Sequence, residues 1–227
     1  MSTKRIEQIL SIPKSLYVCL RLFHFMDAIK MPILVRYNCK LQSLKGRIKV
    51  MGGVKPAMLK VGFGCVGIYD KKYERSILQI DGCIVLRGKA TFGHGSRICV
   101  TSNGTLSIGD NFNNTAMTAI VCDNNITFGD NVLVSWDTLV MDTDWHAMQR
   151  TDTGEIFGCS KPIIIGNNVW LCTRCIILKG GEIADGCIVG ASSVVSKHFM
   201  TPNTIIVGNP AVEKRHGITR YIERIPQ

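Results

Sequence analysis

Residues 165–195 read IGNNVW, LCTRCI, ILKGGE, IADGCI, VGASSV and V when they are written in groups of six. Each group begins with a branched aliphatic residue: Ile165, Leu171, Ile177, Ile183, Val189 and Val195. The fifth residue of each full group is small or compact: Val169, Cys175, Gly181, Cys187 and Ser193. A period of six fits neither the turn of a helix nor the alternation of a single strand. It predicts a repeating coil instead.

The same period continues upstream of this stretch. It passes through Ile80, Leu86, Phe92 and Ile98, then Ile108 and Ile120, then Phe128, Val134 and Val140, and it leads to His146. The count slips at residues 101–107, 124–127 and 147–164, which we interpret as loops between coils. A coil of three short strands with inward aliphatic side chains explains the period. We therefore predict an all-β protein, a parallel β-helix shaped as a triangular prism.

The first fifty residues carry helical spacing instead. Apolar residues lie on both sides of Pro13: Ile6, Ile9 and Leu10 before it, and Leu16, Leu20 and Phe23 after it. We predict two short helices that separate at the proline. Their basic residues Lys4, Arg5, Lys14 and Arg21 would allow peripheral association with a membrane surface. An amphipathic helix more commonly packs on its own protein, so we favour packing of these helices on the prism.

Three regions follow from these patterns. Residues 1–50 form an N-terminal helical or extended segment, and residues 51–200 form the β-helix with an inserted loop at about 147–164. Residues 201–227 contain Pro202, Gly208 and Pro210 together with the basic residues Lys214, Arg215 and Arg220. That composition predicts a C-terminal tail that is irregular or briefly helical.

The net charge of +10 at pH 7 requires an anionic partner. Nucleic acid, an anionic membrane surface and a phosphorylated ligand are the candidates. Basic residues are scattered, and no zinc-finger or RNP motif is present, so we expect no nucleic-acid partner. Apolar runs are too interrupted for a spanning helix or a secretory signal, which favours a cytoplasmic location. We interpret the ten cysteines as small buried hydrophobic residues.

Four stretches resemble the hexapeptide-repeat acyltransferases. They are Lys161-Pro-Ile-Ile-Ile-Gly-Asn-Asn-Val-Trp-Leu-Cys, Phe128-Gly-Asp-Asn-Val-Leu, Ile183-Ala-Asp-Gly-Cys-Ile-Val-Gly-Ala and Val207-Gly-Asn-Pro-Ala. The resemblance covers about residues 80–215. The segment through Leu44, with Ile12-Pro-Lys-Ser-Leu-Tyr, resembles the leader of a subgroup that includes capsule, O-antigen and exopolysaccharide acetyltransferases.

This resemblance implies a fold, an assembly and a reaction. The β-helix would be left-handed, whereas the general rule for parallel crossovers favours the right hand. The protein would be a homotrimer with acetyl-coenzyme A (acetyl-CoA) bound in a groove between neighbouring prisms. It would transfer the acetyl group to a hydroxyl or amine of a sugar or polysaccharide precursor, so a saccharide is the expected acceptor.

His146 is the candidate general base. It falls on the six-residue period, precedes the largest insertion and matches the position of the catalytic histidine of the family. Acetyl transfer to a sugar hydroxyl needs a base with a pKa near neutrality, because the hydroxyl holds its proton tightly. Asp144 lies on the same side of an extended segment and could hold the other imidazole nitrogen, with Asp142 as the alternative. Trp145 would point to the opposite face and either line the acceptor pocket or pack.

Further binding residues come from the resemblance. In some relatives a polar residue on the preceding coil contacts the acceptor, and that neighbourhood here contains Asn113, Asn114 and Asp123. The donor stretch runs from Trp170 to Lys197 and includes the turn at Gly208-Asn-Pro-Ala. Its candidate donor-binding residues are Trp170, Gly190, Ala191 and Pro210. Candidate partners of the coenzyme phosphates are Lys179, Lys197, Lys214 and Arg215.

Other functions remain alternatives. A zinc hydratase would need three converging histidines, and His94, His146 and His198 lack the spacing, so we expect no metal requirement. A nonenzymatic trimeric scaffold would not bind acetyl-CoA. A serine acetyltransferase-like activity stays open, although its long helical N-terminal domain is not seen. In the insertion, the residues expected to hydrogen-bond a polar acceptor are Arg150, Asp152 and Glu155.

Overall fold

The computed structural model describes residues 3–64, 66–70 and 72–221. Helices α1 (Thr3–Leu22) and α2 (Phe25–Ala28) come first, and short strands follow. The first two coils are β1 (Ile33–Val35), β2 (Lys40–Leu44) and β3 (Arg47–Val50), then β4 (Leu59–Val61), β5 (Ile77–Ile80) and β6 (Cys83–Leu86). The third and fourth coils are β7 (Ala90–His94), β8 (Arg97–Val100) and β9 (Thr105–Ile108), then β10 (Phe112–Ala116), β11 (Ala119–Cys122) and β12 (Asn125–Phe128).

An antiparallel hairpin interrupts the fifth coil. In chain order this coil is β13 (Leu133–Val134), β14 (Leu139–Met141), the hairpin strands β15 (Met148–Gln149) and β16 (Ile156–Phe157), and β17 (Ile163–Ile165). The sixth and seventh coils are β18 (Trp170–Leu171), β19 (Ile176–Leu178) and β20 (Glu182–Ile183), then β21 (Ile188–Val189), β22 (Val194–Val195) and β23 (His198–Phe199). Strands β24 (Thr204–Val207) and β25 (Val212–His216) follow.

Each coil contributes one strand to each of three sheets. The first sheet runs β1-β4-β7-β10-β13-β18-β21-β24-β25, the second β2-β5-β8-β11-β14-β19-β22 and the third β3-β6-β9-β12-β17-β20-β23. All neighbours are parallel except β24 and β25. The chain therefore winds as a three-sided parallel β-helix, and this prediction is confirmed. We call the turn from the first to the second sheet the first corner, the next turn the second corner, and the return to the first sheet the third corner.

The six-residue period fills the interior of the prism. All six aliphatic residues of the stretch 165–195 that begin its groups are at most 1% exposed. Phe92 on β7, Phe112 on β10 and Phe128 on β12 stack inside the prism, with successive ring centroids 5.0 and 4.9 Å apart. Inward side chains thus pack on one another both within a coil and between neighbouring coils.

A polar ladder joins the coils at the third corner. There the backbone N–H of Asp110 donates to Oδ1 of Asp130 at 2.8 Å, and the N–H of Asp130 donates to Oδ1 of Asn167 at 2.8 Å. The N–H of Asn167 in turn donates to Oδ1 of Asp185 at 2.7 Å. Each side chain therefore satisfies a backbone donor of the preceding coil.

Glycine precedes three of these residues because the coils approach closely. A Cβ on Gly129 would lie 2.5 Å from the carbonyl carbon of Gly166, which is too close for any side chain. The residue after the ladder position is Asn111, Asn131 or Asn168, each with φ between 56 and 58°. Asparagine tolerates this left-handed conformation better than most residues. The Gly-Asp-Asn pattern is thus what the third corner requires.

The N-terminal segment differs from the expectation in two ways. Helix α1 continues through Pro13, so the predicted pair of short helices is wrong. Ser11 and Ser15, on either side of the proline, accept the N–H groups of Tyr37 and Val35 at 3.0 and 2.9 Å, and this docking holds both halves in line. In addition, the first coil begins at Ile33, inside the segment that we had separated from the prism at residue 50.

The C-terminal region also differs from the expectation. Strand β24 pairs with β21, and β25 folds back antiparallel on β24, so the region is a hairpin on the first sheet rather than an irregular or helical tail. The segment forms strands because its backbone N–H and carbonyl groups pair with the open edge of the first sheet. The rest of the predicted tail, residues 222–227, lies outside the described residues.

We predict that Gly129→Ala destabilises the protein by about 1–3 kcal/mol, because the new methyl group overlaps the backbone of the next coil. The melting temperature, measured at fixed protein concentration, should fall. Gly53→Ala is the matched control, since a Cβ there meets nothing within 4 Å. Equal melting temperatures for the two variants would contradict this account of the third corner.

Candidate functional site

His146 projects from the base of the inserted hairpin, just beyond the second corner of the fifth coil. The two ends of the insertion are tied together, since Thr143 and Ser160 form an antiparallel bridge. The N–H of Asp144 donates to the carbonyl of Cys159 at 2.8 Å, and the N–H of Lys161 donates to the carbonyl of Asp142 at 3.0 Å. This closed base holds His146 outside the prism with its side chain exposed.

Asp142 has a structural role in this corner. Its side chain is fully buried, and its two oxygens accept the N–H groups of Asp123 and Asn124 at 2.7 and 2.9 Å. Burial raises the pKa of the Asp142 carboxyl, against the opposing effect of these two N–H donors. The carboxylate therefore fastens the corner of the preceding coil, which argues against our alternative that it orients His146.

Asp144 forms an ion pair with Lys179. Its Oδ2 lies 2.5 Å from Nζ of Lys179, which belongs to the next coil and also donates to the carbonyl of Gly158 at 3.3 Å. Trp145, with φ of 61° and 52% exposure, separates Asp144 from His146. The structure thus brings together two residues with different predicted roles. Asp144 was expected to hold the imidazole of His146, and Lys179 was expected to bind the phosphates of acetyl-CoA.

Asn114 does not face an acceptor. It is 1% exposed, and its side chain accepts from the Ser96 hydroxyl at 2.6 Å and donates to the Thr118 hydroxyl, inside the prism. The prediction of an acceptor role is therefore corrected. A signal was present in the sequence, because Asn114 falls on the six-residue period between Ile108 and Ile120.

Other candidates do share the second corner with His146. The register pairs Val121 with Met141, and Met141 with Leu178. Asp123, at the turn after β11, is half-buried and accepts from the Thr101 hydroxyl at 2.7 Å. Lys179 and Lys197 follow β19 and β22 in the next two coils. The second corner therefore carries, in coil order, a carboxylate, His146 and two lysines.

The remaining donor candidates lie elsewhere on the prism. Gly190, Ala191 and Pro210 are at the first corner, after β21 and β24. Trp170 is on the first sheet, where its indole N–H donates to the Ser135 hydroxyl at 3.0 Å. Lys214 and Arg215 are exposed on β25. A single chain therefore does not bring the first-corner residues to His146.

The hairpin presents apolar side chains that our sequence analysis missed. Met148, Ile156 and Phe157 are 55%, 69% and 39% exposed, beside the half-exposed Trp145. The signal was the presence of large apolar residues in an insertion that otherwise reads as polar. Such side chains can contact either an acceptor or a second prism.

Cysteine and metal chemistry find little support in the described residues. Cys172 and Cys175 are free thiols, and burial raises the pKa of both, that of Cys175 to about 12, so neither is a ready nucleophile. Within residues 3–64, 66–70 and 72–221, no group of three or more His, Cys, Asp or Glu side chains could hold a metal ion. His94 is interior on β7, and His198 is exposed on β23.

A solved structure defines the class of the fold. The polySia specific acetyltransferase NeuO aligns with a TM-score of 0.57 over 84% of this chain and 82% of that chain, at 20% identity, which concerns the fold alone. The prism is accordingly a left-handed parallel β-helix of the kind found in hexapeptide-repeat acyltransferases. No family model matches the chain.

Sequence relatives confirm the resemblance to those acyltransferases. Galactoside O-acetyltransferase of Escherichia coli (strain K12) is 35% identical over 122 residues, which cover 52% of this chain and 54% of the relative. A provisionally named lipopolysaccharide biosynthesis O-acetyl transferase of the same organism is 27% identical over 157 residues, 65% of this chain and 80% of the relative. The chain thus spans about half the length of the galactoside O-acetyltransferase.

We predict that Asp142→Ala destabilises the protein, because the N–H groups of Asp123 and Asn124 lose their acceptor at a cost of about 1–3 kcal/mol each. Thermal unfolding measures the effect. Asp152→Ala is the control, since Asp152 pairs with Arg150 at the exposed tip of the hairpin and should change stability little. A melting temperature for Asp142→Ala as high as that of the control would refute the anchoring role.

Proposed function

We propose that the protein transfers an acetyl group from acetyl-CoA to a hydroxyl, or an amine, of a sugar or polysaccharide precursor, with His146 as general base. The observation that carries this proposal is the exposed imidazole at the base of the hairpin, in a chain similar to O-acetyltransferases. The expected cytoplasmic location goes with acetyl-CoA as the donor. For the described residues, no helix has the length and apolar character needed to cross a bilayer.

The chemistry needs one base and one site for an oxyanion. Neutral His146 takes the proton of the acceptor hydroxyl while its oxygen attacks the thioester carbonyl. Backbone N–H groups stabilise the oxyanion of the tetrahedral intermediate. The intermediate then breaks its carbon–sulfur bond, and the thiolate of coenzyme A receives the proton from the imidazolium. The products are the acetyl ester and free coenzyme A, and no covalent enzyme intermediate is required.

In this proposal Asp144 positions the general base, His146. The ion pair of Asp144 with Lys179 ties the start of the hairpin to the following coil and so fixes the point from which His146 projects. Asp123 and Trp145 are the proposed acceptor contacts, because one lies at the same corner and the other is the exposed neighbour of His146.

We further propose that the donor site forms between copies of a homotrimer. Gly190, Ala191 and Pro210 lie at the first corner, whereas His146 lies at the second, so a groove that uses both needs two chains. A cyclic trimer repeats such a head-to-tail contact three times. Near this groove, the proposed phosphate partners of the coenzyme are Lys179, Lys197, Lys214 and Arg215.

His146→Ala should lower the rate of acetyl transfer by about 10²–10⁴-fold, since the acceptor loses its base. The rate is measured as coenzyme A release from acetyl-CoA with galactosides, other sugars and polysaccharide fragments as acceptors. Acetyl-CoA binding, followed by calorimetry, should persist. His198→Ala, which removes another exposed histidine, is the control and should retain activity.

The same assay distinguishes the alternatives. Full activity in His146→Ala would remove the general-base role. A lack of acetyl-CoA binding by the wild type would favour the trimeric scaffold over any enzyme. Turnover with serine but with no saccharide would favour the serine acetyltransferase-like alternative.

Mixed oligomers test the groove between copies. His146→Ala and Ala191→Trp, each made alone, should be inactive, because one lacks the base and the other fills the groove. Co-expressed, they should regain part of the activity, since some contacts then join an intact second corner to an intact first corner. No recovery in a mixed oligomer of wild-type mass would place the donor site within one chain.

A further inference from the structure

Helix α1 presents an apolar face to solvent. We call the side chains of Ile6, Ile9, Leu10, Ile12, Leu16, Tyr17 and Leu20 the outer face, and they are between 38% and 56% exposed. They recur every three or four residues along the helix, as a stripe on one side does. The opposite side holds the buried residues Ser11, Ser15, Val18, Cys19 and Leu22. The helix thus packs on the prism through this buried side and leaves most of its large apolar side chains uncovered.

The apolar surface continues beyond the helix. Phe25, Met26 and Ile29 are 67%, 68% and 50% exposed in and next to α2. An exposed apolar surface of this extent marks an interaction site in a folded protein. The packing of α1 on β1 leaves the outer face on the side of the helix away from the prism.

The same N-terminal segment carries most of the net positive charge of the chain. Residues 1–50 contain ten Lys and Arg residues against Glu7 and Asp27, so they hold +8 of the net charge of +10. Both acids are paired, Glu7 with Arg36 and Asp27 with Lys30, each at 2.8 Å. Exposed basic side chains follow on the adjoining helices and first coil: Arg5, Arg21, Lys30, Lys40, Lys45, Arg47 and Lys49.

We infer that the N-terminal helix docks the protein on an anionic lipid surface. The outer face would enter the boundary of the acyl chains, and the basic side chains would lie among the headgroups. A membrane offers both an apolar phase and negative charge. A second copy of this segment would place two net charges of +8 next to each other, and they would repel. An anionic polymer would match the charge but would leave the apolar face uncovered. The inference does not depend on acetyl transfer.

Vesicle flotation tests this inference on the full chain. The wild type should float with vesicles of equal parts phosphatidylglycerol and phosphatidylcholine, and much less with phosphatidylcholine alone or at high salt. The variant Ile9→Ser/Leu16→Ser/Leu20→Ser should bind at least about a hundredfold more weakly, because three apolar side chains leave the lipid. Arg5→Gln/Arg21→Gln should bind about fivefold more weakly for each charge removed.

The matched control has the same number of serine substitutions at exposed apolar residues elsewhere on the prism: Ile164→Ser/Met200→Ser/Val212→Ser. It should float like the wild type, and circular dichroism should show that all variants stay folded. The inference is overturned if the wild type does not float, or if the outer-face variant floats as well as the control. A lower oligomeric mass of the outer-face variant without vesicles would also overturn it and assign the face to contacts between copies.

Discussion

The close stacking of each coil on the next is the constraint on which the rest of the structure depends. Within the sheets, backbone pairing satisfies the strands. At the third corner the strand ends, and the N–H of Asp130 finds its acceptor in the side chain of Asn167. Gly129 has no room for a side chain because the backbone of the next coil lies against it. Since every coil must meet its neighbour at this spacing, the same residue types recur once per coil at this corner, as Gly109-Asp110, Gly129-Asp130 and Gly166-Asn167.

This stacking also determines where chemistry can occur. Repeat residues fill the interior, so side chains that meet a ligand come from outward strand positions, corners or insertions. Residues at one corner of successive coils lie beside each other, which brings Asp123, Asp142 and Lys179 to one edge although the sequence separates them. The hairpin leaves this edge without breaking the sheets, because β14 and β17 keep their partners in the neighbouring coils. The prism therefore holds His146 at its surface, outside the packed core.

The sequence predicted most of the fold, because the period reports directly on which residues point inward. His146 continues that period, yet it lies outside the prism with an exposed side chain, because the insertion is closed at Thr143 and Ser160 and so begins before it. The sequence did not predict how polar side chains would be used. Asn114 falls on the period, yet its amide suggested an outward role, and only the hydroxyls of Ser96 and Thr118 show how its burial is satisfied. The ion pair between Asp144 and Lys179 joins different coils across an insertion, so no local spacing could indicate it. The sequence analysis missed the first coil because the aliphatic residues of its strands do not recur with the six-residue period.

Helix α1 shows why periodicity alone cannot tell which face of a helix packs. Its apolar stripe suggested the packing face, but strand β1 lies at the edge of the first sheet, where N–H groups need acceptors. Ser11 and Ser15 provide them for Tyr37 and Val35, and Lys14 donates to the carbonyl of Cys39 at 2.7 Å. These hydrogen bonds hold the side of the helix that carries Ser11 and Ser15 against the prism, on both sides of Pro13. Satisfying the edge of the β-helix therefore turns the exposed apolar side outward, so the surface that we propose for lipid docking follows from the way the fold satisfies its edge strand.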